Sequence, residues 1–185
     1  MTDYAQTHPE AIYLSEDEAS MYLQATTTSV WAPVGQTPLV KVSPQRDKVS
    51  FYGTLDLVSG AEIVTRAETM NSEATAVHLK QILASYPAKQ ILLFWDRATW
   101  HGGAAVKQLL AENPRLEVMK YPSASPDLNP QEHVWKAART HVSHNHDQSK
   151  LAGLAERFEH FLRTNKFNYS FLEKFNVETI RAMSK

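Results

Sequence analysis

The order of apolar runs in this 185-residue chain predicts an α/β fold with a mixed five-stranded sheet flanked by helices. In the first third, neighbouring strand-like runs are joined by a tight turn, which indicates antiparallel pairing. Further along, strand-like runs alternate with amphipathic helices, which implies a parallel pair with a crossover. A hydrophobic content of 43% with 9 prolines and 6 glycines is typical of a globular domain with a sizeable core.

The first strands are indicated by β-forming residues and by the turn between them. Ala11–Asp17 is an apolar run that ends in acidic residues. Lys48–Val58 alternates and is rich in β-formers, and Ser59-Gly60 turns it into Glu62–Arg66, so we expect an antiparallel hairpin. Leu39–Val42 has the composition of a further short strand.

The middle of the chain predicts helices and strands in alternation. Asn71 and Ser72 begin a helix that runs to Tyr86 and ends at Pro87, with apolar residues at the spacing of one buried face. The elements that follow are a strand ending at Asp96, a helix from about Gly103 to Ala111, a strand over Leu116–Lys120, an amphipathic helix over Ser149–Arg163 and a helical tail over Lys166–Lys185.

Between the strand predicted over Leu116–Lys120 and the helix predicted over Ser149–Arg163 lies a loop that turns abruptly into another helix. Three prolines in 121–130 oppose regular structure, and Asn129 followed by Pro130 matches an N-cap and a first helical position. Glu132 is then the third helical residue. It is either half of a capping box with Asn129 or a functional carboxylate, and the spacing alone leaves both open.

Acidic residues at three of these positions could converge on a divalent metal. Asp17 and Asp96 end apolar runs, and Glu132 begins a helix. The first position offers two further candidates, Glu16 and Glu18, but strand alternation places Asp17 on the opposite face from both. Carboxylates without cysteine suit Mg²⁺ better than zinc.

Four blocks of sequence resemble the catalytic domain of DDE transposases, in the bacterial insertion-sequence branch related to the mariner elements. The resemblance covers roughly residues 10–140, and 35 residues separate Asp96 from Glu132, as this family's second and third acids would have it. Arg97 departs from the pattern, which has Asn at that position. The blocks are Glu16–Ala19, Trp31–Pro38, Asp96 with Trp100-His101, and Ser125–Trp135.

The resemblance implies a ribonuclease H-like fold, with the first and fourth strands adjacent at the centre of the sheet. It also implies that Asp17, Asp96 and Glu132 are the catalytic residues and hold Mg²⁺ or Mn²⁺, two ions per active site. The activity would be metal-dependent hydrolysis at the ends of a mobile element, followed by strand transfer into target DNA. The expected DNA contacts are His101, Lys136 and Arg139. His101 could instead be a structural histidine, and Lys136 could pair with Glu132 four positions before it.

The expected partners are element-end and target DNA, and a second copy of the chain in a synaptic complex. A net charge of −1 argues against a free-standing DNA-affinity module, since such modules are usually basic. About ten residues precede the first strand, too few for the family's N-terminal helix-turn-helix region, so we expect one catalytic domain over 1–185. With no signal peptide and no membrane-spanning run, the expected location is the cytoplasm.

Rival interpretations concern both the site and the activity. Asp56 could replace Asp17 as the first acid, but an aspartate beside a turn usually serves the turn. His141, His144 and His146 follow no recognised ligand spacing and are expected to form a solvated helix end. The alternative functions are a ribonuclease H-like nuclease that cuts without joining, and a decayed, non-catalytic binding or dimerisation module.

Overall fold

Five strands form a single mixed sheet in the computed structural model, which describes residues 4, 7–40, 42, 44, 46–123 and 125–167. The strands are β1 (Ile12–Tyr22), β2 (Lys48–Asp56), β3 (Glu62–Ala67), β4 (Ile91–Trp95) and β5 (Leu116–Lys120). Their order is β3-β2-β1-β4-β5, antiparallel from β1 to β3 and parallel from β1 to β5. The predicted sheet, with the first and fourth strands adjacent, is confirmed.

Helices cover both sides of this sheet. They are α1 (Ser72–Ser85), α2 (Ala104–Glu112), α3 (Gln131–Ala138) and α4 (Leu151–Thr164). A π-helical turn over Arg139–Ser143 continues α3. Across the described ranges, no helix combines the length and the apolar character needed to cross a membrane.

Alternation along β1 divides the core into two layers. Tyr13, Ala19 and Met21 pack in one layer with α3 and α4. Leu14 packs in the other layer with residues of α1 and α2. Because successive strand residues point to opposite faces, Asp17 belongs to the α3 side of the sheet, and Glu16 and Glu18 belong to the α1 side.

Two expectations about local structure differ from the result. The described residues of Leu39–Val42 form no strand, and the side chain of Leu39 is 93% exposed rather than buried against a neighbouring strand. The first strand is longer than expected and reaches Tyr22, because β2 pairs with it as far as Lys48. The helix expected over 166–185 lies almost wholly outside the described residues; Lys166 and Phe167 are not helical.

Candidate active site

Asp17 and Asp96 are brought together by the register of the two central strands. Ser15 of β1 lies opposite Phe94 of β4, so continuing the register by two residues sets Asp17 opposite Asp96. Asp17 therefore lies within β1 rather than at its end as expected, at the point where the shorter β4 stops. Beyond that point the edge of β1 is not covered by β4, which opens space beside the acid.

Asp17, Asp96 and Glu132 line one cavity of about 420 Å³. The structure thus brings together the three acids that the sequence singled out. The other lining residues come from the loops after β4 and β5 and from the start of α3: Arg97, Ala98, Tyr121, Pro122, Ser123, Ser125 and Asn129.

Asp17 is the most constrained of the three carboxylates. The indole Nε1 of Trp135 donates a hydrogen bond to its Oδ2 at 3.2 Å. Burial, followed by repulsion from Glu132, Glu18 and Asp96, raises the pKa of Asp17 to about 7 against the opposing effect of a backbone hydrogen bond at Glu18. The part of this shift that comes from Glu132, Glu18 and Asp96 reflects repulsion between neighbouring carboxylates, which a bound cation would relieve.

Gly53 of β2 makes room for this contact. It is the cross-strand partner of Asp17, and a Cβ added there would lie 2.5 Å from Cη2 of Trp135. The same Cβ would collide with the amide of Gln131, which donates a hydrogen bond to the buried Glu62. The missing side chain therefore lets the start of α3 lie close against the sheet.

Asp96 is held by its own loop. The backbone N–H of Ala98 donates to Oδ1 of Asp96 at 2.7 Å, and the side chain is 49% exposed. Arg97, which departs from the family pattern, donates from its Nε to the carbonyl of Tyr121 at 3.2 Å. Arg97 thus ties the loop after β4 to the end of β5.

Glu132 is placed by a network that begins on β1. Oδ1 of Asn129 accepts hydrogen bonds from the N–H of Gln131 and from Oγ of Ser15, each at 3.1 Å. Oγ of Ser15 also bonds the hydroxyl of Tyr121 at 2.8 Å. The side chain of Asn129 thus bonds the helix start as expected, but α3 begins at Gln131 rather than at Pro130, so Glu132 is its second residue and not its third. No described contact joins the exposed Glu132 carboxylate back to Asn129, so the capping box is only half formed and the acid faces the cavity.

Ser15 and Gly53 are the residues that sequence reasoning missed. Ser15 lies two positions before Asp17, and the period of two in a strand places both on one face. Gly53 is a glycine inside a strand, which often marks a close approach of another group. Both signals were present in the sequence, but the partners that give them meaning lie far along the chain.

The rival acids have other roles. Asp56 accepts hydrogen bonds from the N–H groups of Val58 and Ser59, and from the hydroxyl of Tyr86, so it serves the turn as expected. Glu16 is fully buried on the opposite face from Asp17, and burial together with repulsion from Glu18 raises its pKa well above the usual range. A buried carboxyl of this kind favours the neutral form.

The three expected DNA contacts divide into two kinds. The side chain of His101 is 1% exposed, with Nε2 3.0 Å from Oε1 of Glu18, so the expected contact with DNA does not fit a ring that is buried away from solvent. Lys136 and Arg139 line a second cavity of about 530 Å³ beside Glu132, and their contact with DNA stays a prediction.

The histidines that follow α3, at positions 141, 144 and 146, lie in different surroundings. His141 stacks on Phe161 at 5.2 Å, and His144 bonds Oγ1 of Thr26 at 2.8 Å. His146 is 8% exposed, so it is buried, and the expected solvated helix end is wrong for this residue. Among the described residues, no group with metal-ligand geometry includes any of them.

The donor set of the cavity lined by Asp17, Asp96 and Glu132 fits a hard divalent cation. Its three carboxylates supply the oxygen ligands that Mg²⁺ and Mn²⁺ prefer. In the described part of the chain, none of the three forms an ion pair with a lysine or arginine. Within the described residues, no lysine or arginine side chain therefore balances their charge.

Solved structures with this fold include several forms of the Mos1 transposase. Its paired-end complex with Mg is 17% identical with a TM-score of 0.67, covering 94% of this chain and 55% of that one. The catalytic domain of the Mos1 mariner transposase is 14% identical with a TM-score of 0.56, covering 93% of this chain and 79% of that one. These similarities establish the ribonuclease H-like fold.

Similarity in sequence gives the family. An uncharacterised 39 kDa protein of insertion element IS630 from Shigella sonnei is 29% identical over 150 residues, which are 80% of this chain and 44% of the relative. The chain thus spans less than half the length of that relative. The family model described as DDE superfamily endonuclease matches residues 13–154, a range that contains all three acids. The chain therefore belongs to the DDE superfamily of endonucleases.

Proposed function

We propose that this domain is the catalytic part of a transposase that cleaves DNA at the ends of a mobile element and joins the freed 3′ end to target DNA. One observation carries the proposal: Asp17, Asp96 and Glu132, which lie far apart in the sequence, line the same cavity. The endonuclease family and the insertion-element relative support this activity.

The three acids would hold Mg²⁺ or Mn²⁺, and we propose two ions in the site. When bound, such a pair activates the attacking oxygen and stabilises the leaving oxygen of a phosphodiester. Glu132 and Asp96 both repel the carboxylate of Asp17, and this repulsion contributes to the raised pKa of Asp17. Asp17 would therefore hold a cation together with either of the other two acids.

Each carboxylate is oriented by groups of this chain. Trp135 holds one oxygen of Asp17, and the backbone of Ala98 holds one oxygen of Asp96. Glu132 projects from the first turn of α3, whose position is set through Asn129. Prior orientation removes conformational freedom that the acids would otherwise lose on binding.

DNA would cross the surface formed by α3 and the π-helical turn. Lys136 and Arg139 share the second cavity with Glu132, so a phosphate bound there would place the backbone beside the acids. The Mos1 neighbours include a paired-end complex with a left transposon end. By analogy, we propose that two copies of this chain act together on paired DNA ends, with end recognition supplied by a further region of the protein.

The test compares two neighbouring acids on the same cavity rim. Glu132→Gln should fold with near wild-type stability, because loss of the helix-dipole interaction costs about 0.3–1 kcal/mol. It should lose Mn²⁺-dependent nicking of supercoiled plasmid by at least about 10², since a neutral amide is a poor ligand for the metal. Asp127→Asn, on the rim that also contains Glu132, is the matched control and should retain nicking.

The same assay separates the rival functions. Joined plasmid products support strand transfer, whereas nicks without joining support the nuclease interpretation. Absence of Mn²⁺-dependent nicking in the wild type, with the end-recognition region supplied, would favour the non-catalytic module. Normal nicking by Glu132→Gln would remove Glu132 from the proposed site.

A further inference from the structure

His101 lies in a buried position beneath the loop that carries Asp96. Its ring stacks on Trp95 with centroids 4.2 Å apart and an angle of 4° between the planes, and Trp100 packs against it edge-on. Its side chain is 1% exposed, so both ring nitrogens must find partners within the protein.

One nitrogen is anchored from β1. Nε2 of His101 lies 3.0 Å from Oε1 of Glu18, and the indole N–H of Trp100 donates to the same oxygen. Glu16, Glu18 and His101 offer atoms within 4.8 Å of one another, but Glu18 and His101 are already bonded to each other. The group is therefore better described as an anchor for the ring than as a separate metal site.

The other nitrogen points to a residue of the proposed active site. Nδ1 lies 3.3 Å from Oδ1 of Asp96, yet it has no hydrogen-bond partner in the described part of the chain. A buried ring nitrogen without a partner is costly. The same Oδ1 accepts the N–H of Ala98, so the described contacts of Asp96 fall on one oxygen and leave Oδ2 for a ligand.

We propose that His101 is a positioning residue for Asp96: anchored by Glu18 and stacked on Trp95, it holds Oδ1 of Asp96 so that Oδ2 is presented to the metal. The inference rests on the proposed metal site. It assigns Glu18 a task distinct from metal binding, since its side chain lies on the other face of β1 and acts on the site through His101. Groups that orient a metal-binding carboxylate commonly contribute 10–100-fold to metal affinity.

Two amide substitutions separate the two nitrogens of the ring. In His101→Asn the amide nitrogen replaces Nδ1 and can still donate to Asp96, whereas in His101→Gln it replaces Nε2 and reaches only toward Glu18. We expect His101→Gln to weaken Mn²⁺ binding, measured by calorimetry, by about 10–100-fold. We expect His101→Asn to bind Mn²⁺ several times more tightly than His101→Gln.

His78 provides the matched control for a merely structural histidine. It is fully buried on the same side of the sheet, and its two ring nitrogens bond Thr54 and Thr65, each at 2.7 Å. His78→Gln should lower the melting temperature but leave the Mn²⁺ affinity of the folded protein unchanged. Equal Mn²⁺ affinity in His101→Gln and wild type would overturn the proposal.

A measurement on the wild type decides the matter if the His101 variants do not fold. With ¹⁵N-labelled histidine, addition of Mg²⁺ should shift the Nδ1 resonance of His101 and leave both resonances of His78 in place. Unchanged His101 resonances at saturating Mg²⁺ would contradict the proposal. Asp96→Asn distinguishes failure of the proposed metal site from failure of the proposed role of His101. If Asp96→Asn binds Mn²⁺ normally, the proposed metal site is wrong. If Asp96→Asn loses binding but the His101 variants do not, only the proposed role of His101 is wrong.

Discussion

The indole of Trp135 donates a hydrogen bond to Oδ2 of Asp17 across 3.2 Å and so joins α3 to the central strand β1. Trp135 is 1% exposed and stacks on Phe158 of α4. One side chain thus fills the core and fixes the orientation of a proposed metal ligand. Substitutions at this position should therefore separate packing from orientation.

Trp135→Phe should keep most of the packing but remove the donor to Asp17, so we expect Mn²⁺ affinity to fall about tenfold or more. Trp135→Ala should also cost about 3–5 kcal/mol of stability, as expected for loss of a buried tryptophan. Calorimetry and denaturant unfolding give the two quantities. Wild-type Mn²⁺ affinity in Trp135→Phe would show that the hydrogen bond does not orient Asp17.

The raised pKa of Asp17 predicts a pH-dependent stability in the absence of metal. Its pKa is 3.8 in a model compound and about 7 in the folded protein, so between these values the folded state binds more protons than the unfolded chain. The free energy of unfolding should therefore decrease as pH rises from about 4 to 7, by an amount on the order of 4 kcal/mol from this residue.

Asp17→Asn tests this directly, because it removes the titrating group while preserving its size. The variant should be more stable than wild type at pH 8 without metal, and the difference should vanish near pH 4. Saturating Mg²⁺ should stabilise the wild type at pH 8 far more than the variant. A wild-type stability that rises from pH 4 to 7 relative to Asp17→Asn would refute the assignment.

Gly53→Ala should disturb the proposed site while Asp17, Asp96 and Glu132 all remain in the sequence. The added methyl would collide with Trp135 and Gln131, and overpacking of this kind typically costs about 1–3 kcal/mol. Gly153→Ala on α4 is the control, since its nearest neighbour would be Oε1 of Gln148 at 3.5 Å and alanine favours a helix. Thermal unfolding of both variants should show destabilisation only for Gly53→Ala.

Lys136 should contribute to DNA binding through charge alone. Lys136→Gln is expected to weaken binding uniformly across DNA sequences and to reduce the slope of log affinity against log salt by about 0.9, the value for one phosphate contact. Lys107→Gln is the control, because Lys107 is exposed on α2, which packs on the opposite side of the sheet. An equal salt slope for Lys136→Gln and wild type would exclude the contact.

The sequence predicts the elements of this fold well because their signals are local. Apolar runs, the turn at 59–60 and the proline before α3 each act within a few residues. Asp96 and Glu132 could be singled out because each lies at the border of such an element. Asp17 lies within β1, but its apolar run gives way to acidic residues there, and that local change made it a candidate. Sheet order needed the family resemblance, since periodicity does not state which strands become neighbours.

The sequence could not predict the side-chain contacts between residues that lie far apart along the chain. Trp135 and Asp17 are 118 positions apart, and the tryptophan could be placed in the core but not against an acid. His101 was expected at the DNA from the family resemblance, and a lone histidine carries no sign in the sequence of its own burial. Its position depends on Trp95 and Glu18, whose faces are set only when the sheet has formed.

The hydrogen bonds from Ser15 to Tyr121 and to Asn129 join residues that are 106 and 114 positions apart. They therefore also limit how early in folding the proposed site can assemble. Closing so long a loop costs entropy before the contact is formed, whereas the β2–β3 hairpin closes over a short turn. During synthesis, a nascent chain that already contains Asp17 and Asp96 still lacks the helix that delivers Glu132. In the proposed function, therefore, cleavage of DNA cannot begin before the last third of the domain has been synthesised.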